Sequence, residues 1–359
     1  MKKVITSKWF WVPIGILLLI VGFYFYKAQY NGVKQEIHFT SDIELPGLLL
    51  KPETAGPHPA IILLHGAGGS HQHHNKAFFR FHANAFLNKG FAVLVYTKRG
   101  SGDDGFNYDY FTYKDLVNDA QAAINFLRNQ QDIDQKNIGL MGVSESGWFT
   151  PELAYLDGNI KFIINRVSSP FSVENTVIHE VKMDALTEGF TEMEILEDIL
   201  PLTRQIWQYY IDVSKDPLLA SGPERDKINT KLEEAHSDER LGKWFQYKEL
   251  AAYDSLKYAA RGFNFDYDPQ PYLEKIDLPM LYVMAGKDKN IPTQEVVTFL
   301  EDFREKYKRD IQLKVYPDAS HYFYKWGLED GPYEGWLYQE GYLETITNWA
   351  ADQVSILKK

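Results

Sequence analysis

From residue 35 onward the apolar positions come in short blocks separated by turn residues. Gln35–Thr40 and Ile43–Leu50 read as two paired strands, with Ser41-Asp42 as the turn between them. Ala60–Leu64 is a continuous apolar run, the mark of a strand buried on both faces of a sheet. The spacing lengthens to a helix over Lys76–Lys89 and shortens to a strand at Phe91–Tyr96. Within Tyr113–Arg128, Leu116, Ala120, Ala123, Ile124 and Leu127 share one helical stripe. Asn137–Met141 and Ile160–Val167 are the next strands. Strands alternating with helices predict an α/β fold, a mostly parallel sheet with right-handed crossovers flanked by helices.

The alternation stops near Ser169. From about Ser172 to Gly262 the chain is helical, charged and rich in Tyr and Trp, without a convincing strand. The sheet pattern resumes at Pro279–Ala285, followed by a helix near Gln294–Lys306 and a strand at Ile311–Tyr316. A helix from roughly Gly335 to Leu357 closes the chain. The expected organisation is a body of residues 35–171 and 263–359, with residues 172–262 inserted as a helical cap over the sheet.

The N-terminal pattern is different. Lys2, Lys3 and Lys8 precede an uncharged run, Trp9–Tyr26, long enough as a helix to extend roughly 27 Å, close to a hydrocarbon core. Trp9, Trp11, Tyr24 and Tyr26 stand where aromatic belts belong. A cleaved secretory signal starts with the same basic region, but Phe23-Tyr24-Phe25 occupies the place of its small cleavage residues. The expectation is a single-pass transmembrane anchor at 9–26, with residues 1–8 cytoplasmic, a tether at 27–34, and the rest of the chain outside the cytoplasm at the cell membrane.

Composition narrows the function classes. A net charge of −11 argues against a nucleic-acid surface, which needs clustered Lys and Arg. The absence of cysteine excludes disulfides, thiolate metal sites and a Cys nucleophile. An apolar fraction of 45% is enough for a sizeable core.

The chemistry sits at strand ends. Asn137–Met141 runs into Gly142-Val143-Ser144-Glu145-Ser146-Gly147 and then a helix. A serine hydroxyl is a poor nucleophile, and a sharp strand-to-helix turn with small neighbours exposes it beside a base. Leu64-His65-Gly66-Ala67-Gly68-Gly69 follows another buried strand. Backbone N–H groups of such a loop, with that of the residue after the nucleophile, can hold a developing oxyanion. Ala67 and Glu145 are the expected donors, with Gly66 as the alternative. Asp288 follows the strand Pro279–Ala285, and His321 follows Ile311–Tyr316. His321 would take the proton of Ser144, and Asp288 would orient His321.

These residues carry a resemblance. The chain from about Gly32 onward resembles the α/β-hydrolase superfamily, whose catalytic order is Ser, Asp, His. It is most similar to the branch of dienelactone hydrolases, prolyl oligopeptidases and acyl thioesterases with a helical cap. Ser144-Glu145, Gly147 and Pro151 are similar to its G-x-S-E-G-G-x-x-x-P elbow, and Thr97-Lys98-Arg99-Gly100-Ser101-Gly102 resembles its D-x-R-G-x-G loop. Thr97 replaces the usual Asp, and Ser146 the usual Gly, slightly crowding the turn. The resemblance implies a Ser-His-Asp hydrolase without cofactor or metal. The expected substrate is a small acyl ester. A peptidase of small peptides, a thioesterase and an inactive binding scaffold are the alternatives.

Other features attract bland readings. Ser70-His71-Gln72-His73-His74, with His82 nearby, reads as polar loop lining rather than a metal site. Asp103, Asp104 and Asp109 read as a solvated turn, and Asp115 and Asp119 as the exposed face of their helix. Of Glu145 only the amide is given a task. Trp207, Tyr209, Tyr210, Trp244 and Phe245 read as packing the insertion onto the body, with a lining of the pocket roof as the alternative.

Overall fold

The computed structural model describes residues 8–27, 29–68, 73–74, 77–102, 105–106, 110–325 and 338–354. Its main sheet comprises β1 (Val33–Thr40), β2 (Glu44–Lys51), β3 (His58–Leu64) and β4 (Ala92–Tyr96). After a small separate hairpin, β5 (Ser101–Gly102) and β6 (Gly105–Phe106), it continues with β7 (Ile133–Val143), β8 (Phe162–Arg166), β9 (Met280–Ala285) and β10 (Ile311–Tyr316). The spatial order is β1-β2-β4-β3-β7-β8-β9-β10. β1 and β2 are antiparallel, β2 meets β4 antiparallel, and every pairing from β4 to β10 is parallel.

Strand alternation divides the core. Along β3, Ala60, Ile62 and Leu64 pack on one face, and Ile61 and Leu63 on the other. α1 (Lys8–Lys27) precedes the sheet; α2 (Arg80–Leu87) packs on the second face through Ala83 and Phe86. α3 (Tyr113–Arg128) and α4 (Ser146–Asp157) cover the first face through Leu116, Ile124, Phe149 and Leu153. β7 begins four residues before the expected Asn137, because Ile133 already pairs with His58.

Between β8 and β9 the described chain is helical: α5 (Val173–Thr187), α6 (Glu192–Glu194), α7 (Leu200–Lys215), α8 (Pro223–Ala235), α9 (Glu239–Phe245), α10 (Ser255–Asp266) and α11 (Gln270–Leu273). This stretch has apolar clusters of its own. Tyr209, Tyr210 and Tyr258 build one, with Phe245 against it; Phe190, Ile195 and Ile199 build another, with Trp244 against it. Trp207 stacks on Phe265 at 4.9 Å. Tyr209, Tyr210, Trp244 and Phe245 therefore pack within the insertion itself rather than onto the body as expected. Its two ends are tied, since Val173 N donates to Tyr267 O at 3.0 Å.

α12 (Thr293–Tyr307) returns to the first face and α13 (Tyr342–Gln353) to the second. Residues 335–337 lie outside the described residues. The closing helix starts at Tyr342 rather than near Gly335, because Gly341 holds a left-handed φ of 74°, which a helix does not continue.

The transmembrane expectation is corrected. Among the described residues no helix is long and apolar enough to cross a membrane. α1 is bounded by Lys8 and Lys27 and contains Pro13.

Candidate active site

Ser144 lies between the end of β7 and the start of α4, with φ 52°, a left-handed conformation that strains any residue with a Cβ. Two backbone hydrogen bonds hold it there. Its N–H donates to Arg166 O at 2.9 Å, and Ser168 Oγ donates to Ser144 O at 3.1 Å. Glycine is required on both sides. A Cβ on Gly147 would lie 2.1 Å from Ser168 Oγ, and one on Gly142 2.8 Å from Thr150 Cγ2. Ser146 does not crowd the turn as expected. Its hydroxyl accepts from Val143 N at 2.7 Å and donates to Leu64 O at 2.9 Å, tying the elbow to β3.

The loops after β9 and β10 bring Asp288 and His321 to this serine. His321 Nε2 is 3.1 Å from Ser144 Oγ, and Nδ1 is 2.9 and 3.0 Å from the two Asp288 oxygens. With the ring proton on Nδ1, directed at the carboxylate, Nε2 is left to accept from the serine hydroxyl. The Asp288 carboxylate is fully buried and also accepts from Asn290 N at 2.9 Å and Ile291 N at 3.1 Å. These amides fix its direction.

Gly66, Ala67 and Gly68 line a cavity of about 400 Å³ together with Phe78, Val143, Ser144, Arg166, Asn290, His321 and Tyr322. The approach is close: a Cβ on Gly66 would lie 3.3 Å from Ser144 Cβ. Gly69, Ser70, His71 and Gln72 lie outside the described residues. Behind this loop is a buried ion pair. Lys98 Nζ donates to the Glu145 carboxylate and, at 3.0 Å, to Gly66 O. Burial lowers the pKa of Lys98, and the Glu145 charge opposes that shift. One ammonium thus binds both segments expected to supply oxyanion donors. The side chain of Glu145 had no role in the reading of the sequence, and Lys98 had appeared only as a letter in a resemblance.

Residues 61–334 match the alpha/beta hydrolase family. The chain belongs to that family. Esterase EstD of Thermotoga maritima is 23% identical over 283 residues, which is 77% of this chain and 57% of that protein. Mouse acyl-coenzyme A thioesterase 1 is 26% identical over 180 residues, 48% of this chain and 37% of that protein. An esterase of Pyrococcus furiosus matches in structure with a TM-score of 0.52 at 14% identity, covering 91% of each chain, a likeness of fold. The chain spans about half the length of the curated relatives it matches.

In this member of the family the loop after β4 is an anchored polar network. Arg99 grips Asp119 through Nε at 2.7 Å and through a terminal nitrogen at 2.6 Å. Asp119 is therefore not on an exposed face: it is fully buried, and burial raises its carboxyl pKa against the pull of Arg99. Asp115 closes a capping box with Thr112 at the start of α3. Thr97 fills the usual Asp position by bonding His74 Nδ1 at 2.7 Å, and His82 bonds the Tyr342 hydroxyl at 2.8 Å. Both histidines are thus engaged away from any shared centre. Asp103, Asp104 and Asp109 lie outside the described residues.

Two further residues, one lining the cavity and one bonded to its lining, carried no sequence signal. Arg166 ends β8, and Glu180 of α5 accepts from Asn290 Nδ2 at 3.0 Å. Glu180 carries the insertion to within bonding distance of a cavity residue. Its pKa is raised, first by burial and then by Asp184 and Asp288.

Proposed function

We propose that this alpha/beta hydrolase is a serine esterase, with Ser144 as nucleophile, His321 as general base and acid, and Asp288 as the group orienting His321. The observation that carries the reading is the unbroken hydrogen-bond chain from Ser144 Oγ through His321 to Asp288. Ser144 Oγ attacks the acyl carbonyl as its proton passes to His321 Nε2. The oxyanion is received by the Ala67 and Glu145 amides, with Gly66 as the alternative donor. Collapse expels the alcohol, which takes the proton from His321, and leaves acyl-Ser144. Water then attacks that ester with His321 again accepting a proton, and free acid and enzyme are released.

EstD is named an esterase, and that supports an oxygen ester over a thioester or amide. Residues 172–262 act in this reading as a cap, reaching the site through the Glu180–Asn290 bond and excluding water from the first step.

The test is fluorophosphonate labelling of the whole chain beside its Ser144→Ala variant, with turnover of 4-nitrophenyl butyrate. Labelling should be confined to the wild type, and turnover should fall by about 10⁴-fold or more. Labelling that survives the substitution, or a folded wild type that takes no label, overturns the assignment.

A further inference from the structure

Arg166 presents a charge that the esterase reading leaves unexplained. The residue is 2% exposed and yet lines the cavity beside Ser144 and His321. Its neighbours are aromatic and neutral. The guanidinium carbon lies 5.0 Å from the Phe323 ring centre and 5.7 Å from that of Tyr342. One terminal nitrogen approaches His321 O at 3.4 Å, a long hydrogen bond. Nε has no hydrogen-bond partner. The other cations held inside this region each face a carboxylate, Lys98 that of Glu145 and Arg99 that of Asp119. Among the described residues Arg166 faces none. Two titratable groups that sense its charge supply no anion: burial and Arg166 itself lower the pKa of His82, and burial raises that of the Tyr342 hydroxyl.

A buried guanidinium without a counter-ion is unfavourable, and its planar fork is shaped for two carboxylate oxygens. We propose that Arg166 receives an anionic group of the substrate. The substrate class is then an ester bearing a carboxylate a few atoms from the scissile carbonyl, such as a monoester of a short dicarboxylic acid. This rests on the esterase reading and narrows its substrate. Binding the anion completes the ion pair beside Ser144 and sets the carbonyl against the nucleophile.

The experiment compares kcat/KM for three esters. They are 4-nitrophenyl butyrate, mono-4-nitrophenyl glutarate with the charge on the acyl side, and the butyryl ester of 4-hydroxybenzoate with the charge on the alcohol side. Wild type should prefer one charged ester over the neutral one by about 10- to 100-fold, the strength of a charge-assisted hydrogen bond. The preferred arm tells which side carries the anion. Arg166→Gln should bring that ratio close to one, and Arg166→Lys should restore part of it. Thermal melting of each variant guards against misfolding, and the wild-type ratio stands even if both variants unfold. Glutarate should also slow fluorophosphonate labelling of wild type. A wild type that favours the neutral ester, or a ratio unchanged in Arg166→Gln, overturns the anion site and leaves the esterase intact. Absence of both turnover and labelling overturns the two together.

Discussion

Replacing Lys98 by Met tests how the site is held. The Lys98 side chain is 5% exposed and that of Glu145 2%, so neither charge has water to fall back on. Met preserves most of the aliphatic bulk but leaves Glu145 buried without its cation. Removing one partner of a buried pair costs about 3–5 kcal/mol. For a domain of this size each kcal/mol shifts the melting point by about 2–4 °C, giving a loss of roughly 6–20 °C. A second effect is on chemistry. A trans peptide holds Gly66 O and Ala67 N–H in one plane, pointing in opposite directions. Anchoring that oxygen at 3.0 Å from Lys98 Nζ therefore sets the direction of the amide assigned to the oxyanion. Deleting an oxyanion donor costs about 10²–10³ in kcat, so loosening one should cost roughly tenfold to a hundredfold, with KM little changed. The double variant Lys98→Met/Glu145→Gln separates the two effects. It removes the orphaned charge and should recover most of the lost melting temperature, while kcat stays low. Circular-dichroism melts and 4-nitrophenyl ester kinetics measure both. The reasoning fails if the single variant melts within about 2 °C of wild type. It also fails if the double variant regains wild-type kcat.

Two other perturbations follow from the same geometry. Because the folded-state pKa of Glu180 is raised, the folded protein favours its protonated form; this stability is fully present below the unfolded value of 4.5 and is lost as pH rises through the folded value. Glu180→Gln should therefore melt higher than wild type at pH 8 and close to it at pH 4, and an equal difference at both pH values would remove ionisation as the cause. Gly147→Ala forces a methyl to 2.1 Å from Ser168 Oγ, the hydroxyl that holds Ser144 O. Overpacking there should destabilise by about 1–3 kcal/mol and cut turnover more than tenfold, and an Ala variant with normal kcat would show that the elbow tolerates movement.

What was legible in the chain is what repeats with a short period. The blocks at Ala60–Leu64 and Phe91–Tyr96 are uninterrupted because a parallel sheet buries both faces of its strands. Ser144, Asp288 and His321 follow the ends of β7, β9 and β10, and the structure brings them into one hydrogen-bonded row. The N-terminal segment shows the limit of hydropathy. The uncharged run does form a helix, α1, but among the described residues no helix is long and apolar enough to cross a membrane.

The missed residues share one physical cause: a buried charge is placed by its partner, and the partner is distant in sequence. Asp119 meets Arg99 across 20 residues, Lys98 meets Glu145 across 47, and Glu180 meets Asn290 across 110. No local period encodes such a pairing. A signal existed nonetheless for Asp119. It falls three residues after Leu116 and four before Ala123, inside the apolar stripe of α3, where an unpaired carboxylate would be prohibitively costly. Its position on that stripe already demanded a cation, and the Arg of the loop after β4 was available. Arg166 poses the same demand from β8, a strand whose five residues are all buried. There the described fold supplies no carboxylate, and the demand passes from the chain to its ligand. An acidic residue in an apolar stripe therefore points to a partner elsewhere in the fold. A basic residue buried at the end of an active-site strand, with no carboxylate facing it among the described residues, points to the charge of the substrate.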